Sequence, residues 1–215
     1  MTGTYGDMQS RIADEIARSD LTSQIQNAIQ SALRFYESER FWFNEGESTA
    51  PTVANQAAYA TPLDFLEADE FTLTDSSGTR LPFTVLSFED FRKRYVSNGL
   101  IGRPCHWAYY GDQFWLGPAP DAVYTLTLSY LKRLSTLSGS SDGNAWMVHG
   151  EELIRYRAKA DLFANVIRST DDAVAMSQLE QVALANLAVK SAKKLRTGKL
   201  RTELPGHSGF SIVTG

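Results

Sequence analysis

Two amphipathic helices are predicted at the start of the chain by the spacing of its apolar residues. Met8, Ile12 and Ile16 recur every four positions among charged side chains, which indicates a helix over about residues 6–18. A second apolar stripe, with glutamines on the opposite side, predicts a longer helix over residues 21–36. The short polar break between them predicts an antiparallel helical hairpin.

The middle of the chain alternates in a different way and predicts β-hairpins. EFTLTDSSGTRLPFTVL indicates two strands, about 69–74 and 79–86, around a turn of small polar residues. CHWAYY and QFWLG flank Gly111-Asp112 and predict a second hairpin. VYTLTLSYLKRL, which begins at Val123, has the cleanest alternation of apolar and polar positions in the chain and predicts a half-buried strand.

Helical spacing returns after the polar segment SGSSDGN. It predicts one helix over about residues 150–168 and a last helix that begins at Asp171-Asp172 and ends at Gly198. The acidic start of this last helix and its lysine-rich end both suit the helix dipole.

The order of helices, strands and helices predicts an α+β fold. The expected arrangement is a helical bundle formed by residues 1–46 and 146–197, with a β-rich insertion of hairpins over residues 47–137. Residues 198–215 show no sustained period and are expected to form an extended C-terminal tail.

Composition narrows the possible classes of protein. The chain has 215 residues, of which 43% are hydrophobic, and a formal net charge of -4, so it has ample material for a core but no overall basic character. Its single cysteine, Cys105, excludes an internal disulfide. The sequence contains neither a secretory apolar segment nor a run long enough to span a membrane. A soluble protein made in a reducing cytoplasm is expected.

Catalytic and metal-binding signatures are absent from the sequence. Cys105 and His106 are neighbours on a predicted strand, where adjacent side chains point to opposite faces, so we expect no metal site there and no cofactor. Glu151-Glu152 and Asp171-Asp172 stand at predicted helix starts, where acids are common. Acids between Asp64 and Glu70 could form a glycosidase-like carboxylate pair, although a solvated strand edge also explains them. No catalytic residue is assigned.

An aromatic cluster follows the second predicted helix. Five aromatic residues lie within nine positions: Phe35, Tyr36, Phe41, Trp42 and Phe43. Two interpretations stay open, because these rings suit both a core corner inside one subunit and the centre of a contact with a second copy. We expect part of the cluster to be core and part to form a subunit interface.

The C-terminal tail also has two interpretations. It carries apolar residues in a segment too rich in Gly and Ser to fold alone: Leu200, Leu204, Phe210, Ile212 and Val213. Such a segment can become ordered on a partner, or it can be a frayed terminus.

Four pieces of the chain together resemble the head-to-tail adaptor proteins of tailed bacteriophages, also called head completion or tail tubular protein A-like proteins. These are YGDMQSRIADEIARSDLTSQIQNAIQSALRFYESERFWFNE, AYATPLDF, GRPCHWAYYGDQFWLGPAPD and ELIRYRAKADLF. The resemblance covers roughly residues 5–165 and is most detailed in the first forty. It is a likeness of layout and contains no catalytic motif.

The resemblance implies a structural role in the virion neck or tail, after assembly in the host cytoplasm. It implies a ring of about twelve copies that docks under the portal protein, extends the DNA channel and supports the next tail component or nozzle. The tail from residue 198 would contact the portal. DNA would pass without sequence-specific binding, and no membrane is implied. A virion-associated cell-wall glycosidase and another tail component, such as a tail terminator, stay as alternatives.

Overall fold

The computed structural model describes the backbone of residues 3–202 and the side chains of residues 3–195. The chain divides into two compact units, a helical unit of Met1–Phe43 and Leu134–Gly215 and a strand-rich unit between them in sequence. The predicted α+β fold is confirmed, because helices from both ends of the chain pack together while the middle forms strands.

Helix α1 (Tyr5–Glu15) begins with a reciprocal cap. The hydroxyl of Thr4 accepts the backbone N–H of Asp7 at 3.1 Å, and the Asp7 carboxylate accepts the N–H of Thr4 at 3.0 Å. These two hydrogen bonds hold the pKa of Asp7 below its ordinary value. Met8 and Ile12 are buried, as their spacing predicts.

Helix α2 (Thr22–Tyr36) follows and confirms the predicted helical pair. Its buried positions recur at helical spacing and are Ile25, Ala28, Ile29, Ala32 and Tyr36. From Leu21 to Leu33 the sequence has no charged residue, so the outer face of this helix is polar but neutral.

The C-terminal half of the helical unit begins with a helix that the sequence pattern did not predict. Helix α4 (Ala145–His149) is capped by the side chain of Asn144, and helix α5 (Glu151–Asp161) follows directly. The predicted helix over 150–168 is confirmed in position, but its last part, Leu162–Ile167, is a wider π-helical turn. Arg168 ends it in the left-handed conformation, with φ of 63°.

Helix α6 (Thr170–Thr202) is longer than expected. The prediction that the helix ends at Gly198, where an extended tail would begin, is wrong, because the helical backbone continues to Thr202. An interior glycine costs only about 1 kcal/mol relative to alanine and does not by itself end a helix. The buried side of α6 is a regular stripe formed by Glu180, Ala183, Leu187 and Ser191.

The strand-rich unit contains ten short strands, all within the described residues. They are β1 (Glu45–Pro51), β2 (Ala58–Ala60), β3 (Phe65–Thr74), β4 (Arg80–Leu81), β5 (Thr84–Val85), β6 (Ile101–Gly102), β7 (His106–Tyr110), β8 (Gln113–Gly117), β9 (Ala119–Pro120) and β10 (Thr125–Lys132). One sheet has the order β1-β10-β3-β4 and a second has the order β2-β8-β7-β5, while β6 and β9 pair separately.

The hairpin predictions are partly right. The hairpin of β7 and β8 is confirmed, and β10 alternates in burial as its sequence predicts. The predicted strand over 79–86 is wrong, since it is divided at Pro82 into β4, which pairs with β3, and β5, which pairs in parallel with β7 in the other sheet. Strand β1 was not predicted, because its sequence, EGESTAP, lacks apolar alternation.

The two four-stranded sheets share one core. Phe71 on the first sheet contacts Phe114 on the second, with ring centroids 4.9 Å apart. The other fully buried members of this core are Leu73, Leu116, Leu126, Leu128 and Tyr130. Beside it, helix α3 (Phe88–Phe91) continues into a π-helical segment, Arg92–Val96, which packs Phe91 and Tyr95 near Ala108.

Candidate subunit interface

The end of α2 places two neighbouring aromatic residues in opposite environments. Phe35 is 56% exposed, whereas Tyr36 is 2% exposed, because one position along a helix is a rotation of about 100°. The guanidinium carbon of Arg157 lies 3.9 Å from the centroid of the Phe35 ring. This cation–π contact holds an apolar ring on the surface of the helical unit.

Tyr36 belongs to a buried polar group that joins the two ends of the chain. Its hydroxyl donates a hydrogen bond to Glu180, whose side chain is 2% exposed, and Arg157 Nη1 lies 3.4 Å from the same carboxylate oxygen. Burial raises the pKa of Tyr36, and its hydrogen bond to the negative carboxylate raises that pKa further. Tyr36 is therefore a neutral core donor to a buried acceptor.

The three consecutive aromatics after α2 pack mainly against α4. Phe41 is buried and meets the Trp146 ring edge-on, with centroids 5.6 Å apart, and Phe43 meets the same ring at 5.1 Å. Trp42 is half-buried, and its ring lies tilted against that of His149, with centroids 5.2 Å apart. Of the five aromatic residues proposed as interface, Phe35 is thus the member whose ring lies most on the surface.

Trp42 is also anchored to α6. Its backbone N–H donates to Ser191 Oγ at 3.1 Å, and Lys194 Nζ lies 4.2 Å from its ring centroid. A hydroxyl is tolerated on the buried side of α6 because Ser191 accepts the backbone N–H of Trp42, a donor that needs a partner when it is buried.

The outer side of α6 combines exposed apolar side chains with uncharged polar ones from Ala173 to Val189, a feature that the sequence pattern did not predict. From Ala173 to Val189 the helix has one charged residue, Glu180, and that residue is buried. The exposed large residues here are Val174, Leu179, Val182 and Val189. A helix that is uncharged on all sides normally has its outer face covered. The lack of charges in this stretch was the available sequence signal.

A groove runs along α6 and consists of two adjoining depressions that share Ala164 and Ser177. The smaller, of about 230 Å³, is lined by residues of α2, α5, the π-helical turn and α6, whereas the larger, of about 450 Å³, is lined by α6 and by Ala164 of the π-helical turn. Its other small lining residues include Ala28, Ser31, Ala32 and Ala160. Some polar groups of this groove have partners within the subunit, since Asn165 donates to Asp161 at 2.6 Å and Arg157 contacts Glu180.

The acids that suggested a glycosidase have structural partners. Tyr130 donates its hydroxyl hydrogen to Asp64 at 2.9 Å, and Glu70 forms an ion pair with Arg80. Glu151 lies 3.0 Å from Arg11. These contacts give each of the three carboxylates a role in holding its own unit together.

The expectation that Cys105 and His106 point to opposite faces is wrong. Cys105 precedes β7, so it does not follow the alternation of the strand, and its sulfur lies 3.1 Å from His106 Nδ1. The hydroxyl of Tyr95 lies 2.7 Å from the same nitrogen. Burial, together with the nearby charge of Arg94, lowers the pKa of His106, while burial and the Cys105 contact raise the pKa of Tyr95 to about 12.

The cluster of Tyr95, Cys105 and His106 has only two side chains of the types that commonly bind metals, Cys105 and His106. Within residues 3–202, no group of three or more His, Cys, Asp or Glu side chains is placed to hold a metal ion. Over the same residues, no helix has both the length and the apolar character needed to cross a bilayer.

Most of the residues proposed for portal docking lie outside the residues that the structure describes. Leu200 lies on the helical backbone of α6, but its side chain is outside the described residues, as are Leu204, Phe210, Ile212 and Val213.

Comparison with known proteins gives one finding. A family model described as SU10 adaptor protein matches residues 3–203, which is nearly the whole chain. No curated protein matches the sequence.

Proposed function

The chain belongs to the SU10 adaptor protein family, whose members are phage head-tail adaptors, and from this we propose that it forms a ring under the portal at the capsid vertex. As a virion adaptor, its partners are other virion proteins. In the proposed role about twelve copies form a closed ring. The ring extends the DNA channel from the portal and gives the next tail component a platform on which to assemble.

The observation that supports this proposal best is the set of exposed apolar side chains on α2 and α6 of the helical unit. Phe35 is exposed on α2, and the outer side of α6 has no exposed charge from Ala173 to Val189. A ring is built from head-to-tail contacts, so each subunit must present two different patches to its two neighbours. Exposed apolar side chains on two helices supply material for both patches.

The C-terminal segment is proposed as the part that docks on the portal. Since α6 continues to Thr202, the docking residues are taken to be those that follow it, including Leu204, Phe210, Ile212 and Val213. An apolar segment rich in Gly and Ser that gains order on a partner suits this task.

The net charge supports a conduit for DNA. A channel wall that binds phosphates tightly would hinder the passage of DNA, and a formal net charge of -4 gives little general attraction for phosphate. DNA is therefore proposed to pass through without sequence-specific contacts.

The proposal is tested by adding the purified full-length protein to portal rings of the same phage and imaging the product by electron microscopy. A collar of additional density on one end of the portal ring is expected. A variant that ends at residue 202 should fold with an unchanged melting temperature and form no collar. Full-length protein that never adds to portal rings, at any concentration at which it stays monodisperse, would contradict the proposal.

A further inference from the structure

We infer that the outer stripe of α6 in one subunit packs into the groove along α6 of the next copy. This inference rests on the proposed ring and names the two surfaces that form its repeated contact. The stripe, called the α6 ridge, consists of Ala175, Leu179, Val182, Asn186 and Val189. The groove, called the bundle groove, consists of the two adjoining depressions along α6 that have Ala164 and Ser177 in common.

The α6 ridge has the spacing of a helix that packs against another element. Its positions follow steps of four and three residues, which keep them on one side of a helix. Leu179, Val182 and Val189 are 41%, 58% and 54% exposed, so their apolar surface is not used inside the subunit. Helix-in-groove recognition uses anchors at this spacing.

The bundle groove has the shape and chemistry to accept such a helix. Its walls include Ser31 and Ala32 on α2 and Ser177 on α6, and small side chains allow a second helix to approach closely. The two charged side chains that line the smaller depression already have polar contacts within the subunit, since Arg157 pairs with Glu180 and Asp161 accepts a hydrogen bond from Asn165.

The α6 ridge and the bundle groove face different directions, and this favours a second copy of this chain as the partner that fills the groove. On α6 the groove side carries Val174, Ser177 and Gln181, whereas the ridge lies about 125° further around the helix, at about 100° per residue. One copy can therefore use its ridge on one neighbour while its groove holds the ridge of the other. Two different, complementary patches are the requirement for head-to-tail assembly.

The area of the contact explains how strongly it should bind. The ridge is about 22 Å long, and burying half the circumference of a helix about 10 Å wide covers roughly 350 Å² on each partner. The total, roughly 700 Å², is below the 1,200 Å² or more that is typical of stable pairwise complexes. Two copies should associate weakly in solution, and the contact should become stable when a ring closes or a portal supplies a template.

Disulfide trapping tests the contact without a portal. In a Cys105→Ser background, which removes the one cysteine, Val182→Cys protein is mixed with Ser31→Cys protein at high concentration under mild oxidation. Ser10→Cys, at an exposed serine of α1, replaces Ser31→Cys in the control mixture. The mixed disulfide between positions 182 and 31 should exceed the control several-fold. Equal yields in the two mixtures would overturn the inference, as would a dominant disulfide between two copies of position 182.

Portal assembly then separates this inference from the proposed function. Val182→Arg should leave the melting temperature unchanged but abolish the collar, whereas Val53→Arg, at a similarly exposed valine of the strand-rich unit, should keep it. If wild-type protein forms collars and Val182→Arg forms them equally well, the ridge contact is wrong while the adaptor function stands. If wild-type protein forms none, the adaptor proposal fails, and the disulfide experiment still decides the contact.

Discussion

The hydroxyl of Tyr36 donates a hydrogen bond to the carboxylate of Glu180, across 144 positions of sequence. This bond joins α2, near the start of the chain, to α6, near its end, and both side chains are buried. Arg157 is the second partner of the carboxylate. A buried acid is therefore tolerated in the helical core because a phenol and a guanidinium satisfy it.

Tyr36→Phe should lower the free energy of unfolding by about 1–3 kcal/mol, because it leaves the buried carboxylate with one donor fewer. Urea denaturation measures this change. In a Glu180→Leu background the same substitution should cost much less, since no carboxylate is left to satisfy. Equal costs in the two backgrounds would show that Tyr36 stabilises the unit by packing alone.

Phe35→Ala should cost about 1 kcal/mol, since the exposed ring loses only its contact with Arg157 and its edge-on contact with Tyr36. Phe41→Ala is the matched control and should cost about 3–5 kcal/mol, because it empties a buried aromatic site. Thermal and urea unfolding measure both. If Phe35 also contributes to the proposed ring, its variant should stay folded yet form fewer collars on portal rings. A large loss of stability for Phe35→Ala would instead identify it as a core residue.

Ser191→Ala should cost about 1 kcal/mol, because it removes the acceptor for the Trp42 backbone N–H. Ser177→Ala, on the same helix but exposed, is the control and should leave stability unchanged. Denaturant midpoints of the two variants decide the question. If both variants match the wild type, solvent must replace the Ser191 hydroxyl as a partner for Trp42.

Glu15 should make the helical unit sensitive to acid. Burial raises the pKa of Glu15, but the hydrogen bond from Lys159 and the positive charges of Arg155 and Lys159 outweigh this effect, so the pKa lies below its ordinary value of 4.5. A lowered pKa contributes stability that is present above pH 4.5 and is lost as the pH falls through the folded-state value.

The test compares unfolding of wild type and Glu15→Gln between pH 3 and 7. The variant should be less stable than the wild type at pH 7, and the difference should shrink below pH 4.5. Asp14→Asn, at an exposed acid on the same helix, should retain the wild-type dependence on pH. A constant difference across the whole range would mean that the Glu15 charge contributes nothing to stability.

Local periodicity predicted most of the fold. The helices of the first forty residues, the hairpin of β7 and β8, and the alternation in β10 were all readable from the spacing of apolar residues. The prediction failed where spacing carries no signal. Strand β1 is a polar edge strand that is held by pairing with β10, and a pairing partner distant in sequence is invisible to a local pattern.

The candidate interface was less predictable than the fold. Helical spacing placed Tyr36 on the buried stripe of α2, but sequence alone could not decide which of the other cluster residues are core, since that depends on where α4, α5 and α6 pack. The outer face of α6 was missed because apolar and uncharged polar residues are mixed on every side of this helix, so its sequence gives no preferred direction. The meeting of Cys105 and His106 was missed because the strand begins one residue later than assumed.

A helical unit built from both ends of the chain has a consequence for its synthesis. The ribosome releases α1 and α2 first, but Glu180 and the rest of α6 emerge only after the whole strand-rich unit has been made. The strand-rich unit is continuous in sequence and can fold as it leaves the exit tunnel, while the early helices wait with their apolar stripes uncovered. The order of translation therefore makes the bundle the last part to fold, and the nascent N-terminal hairpin must wait for α5 and α6 before its apolar stripes are covered.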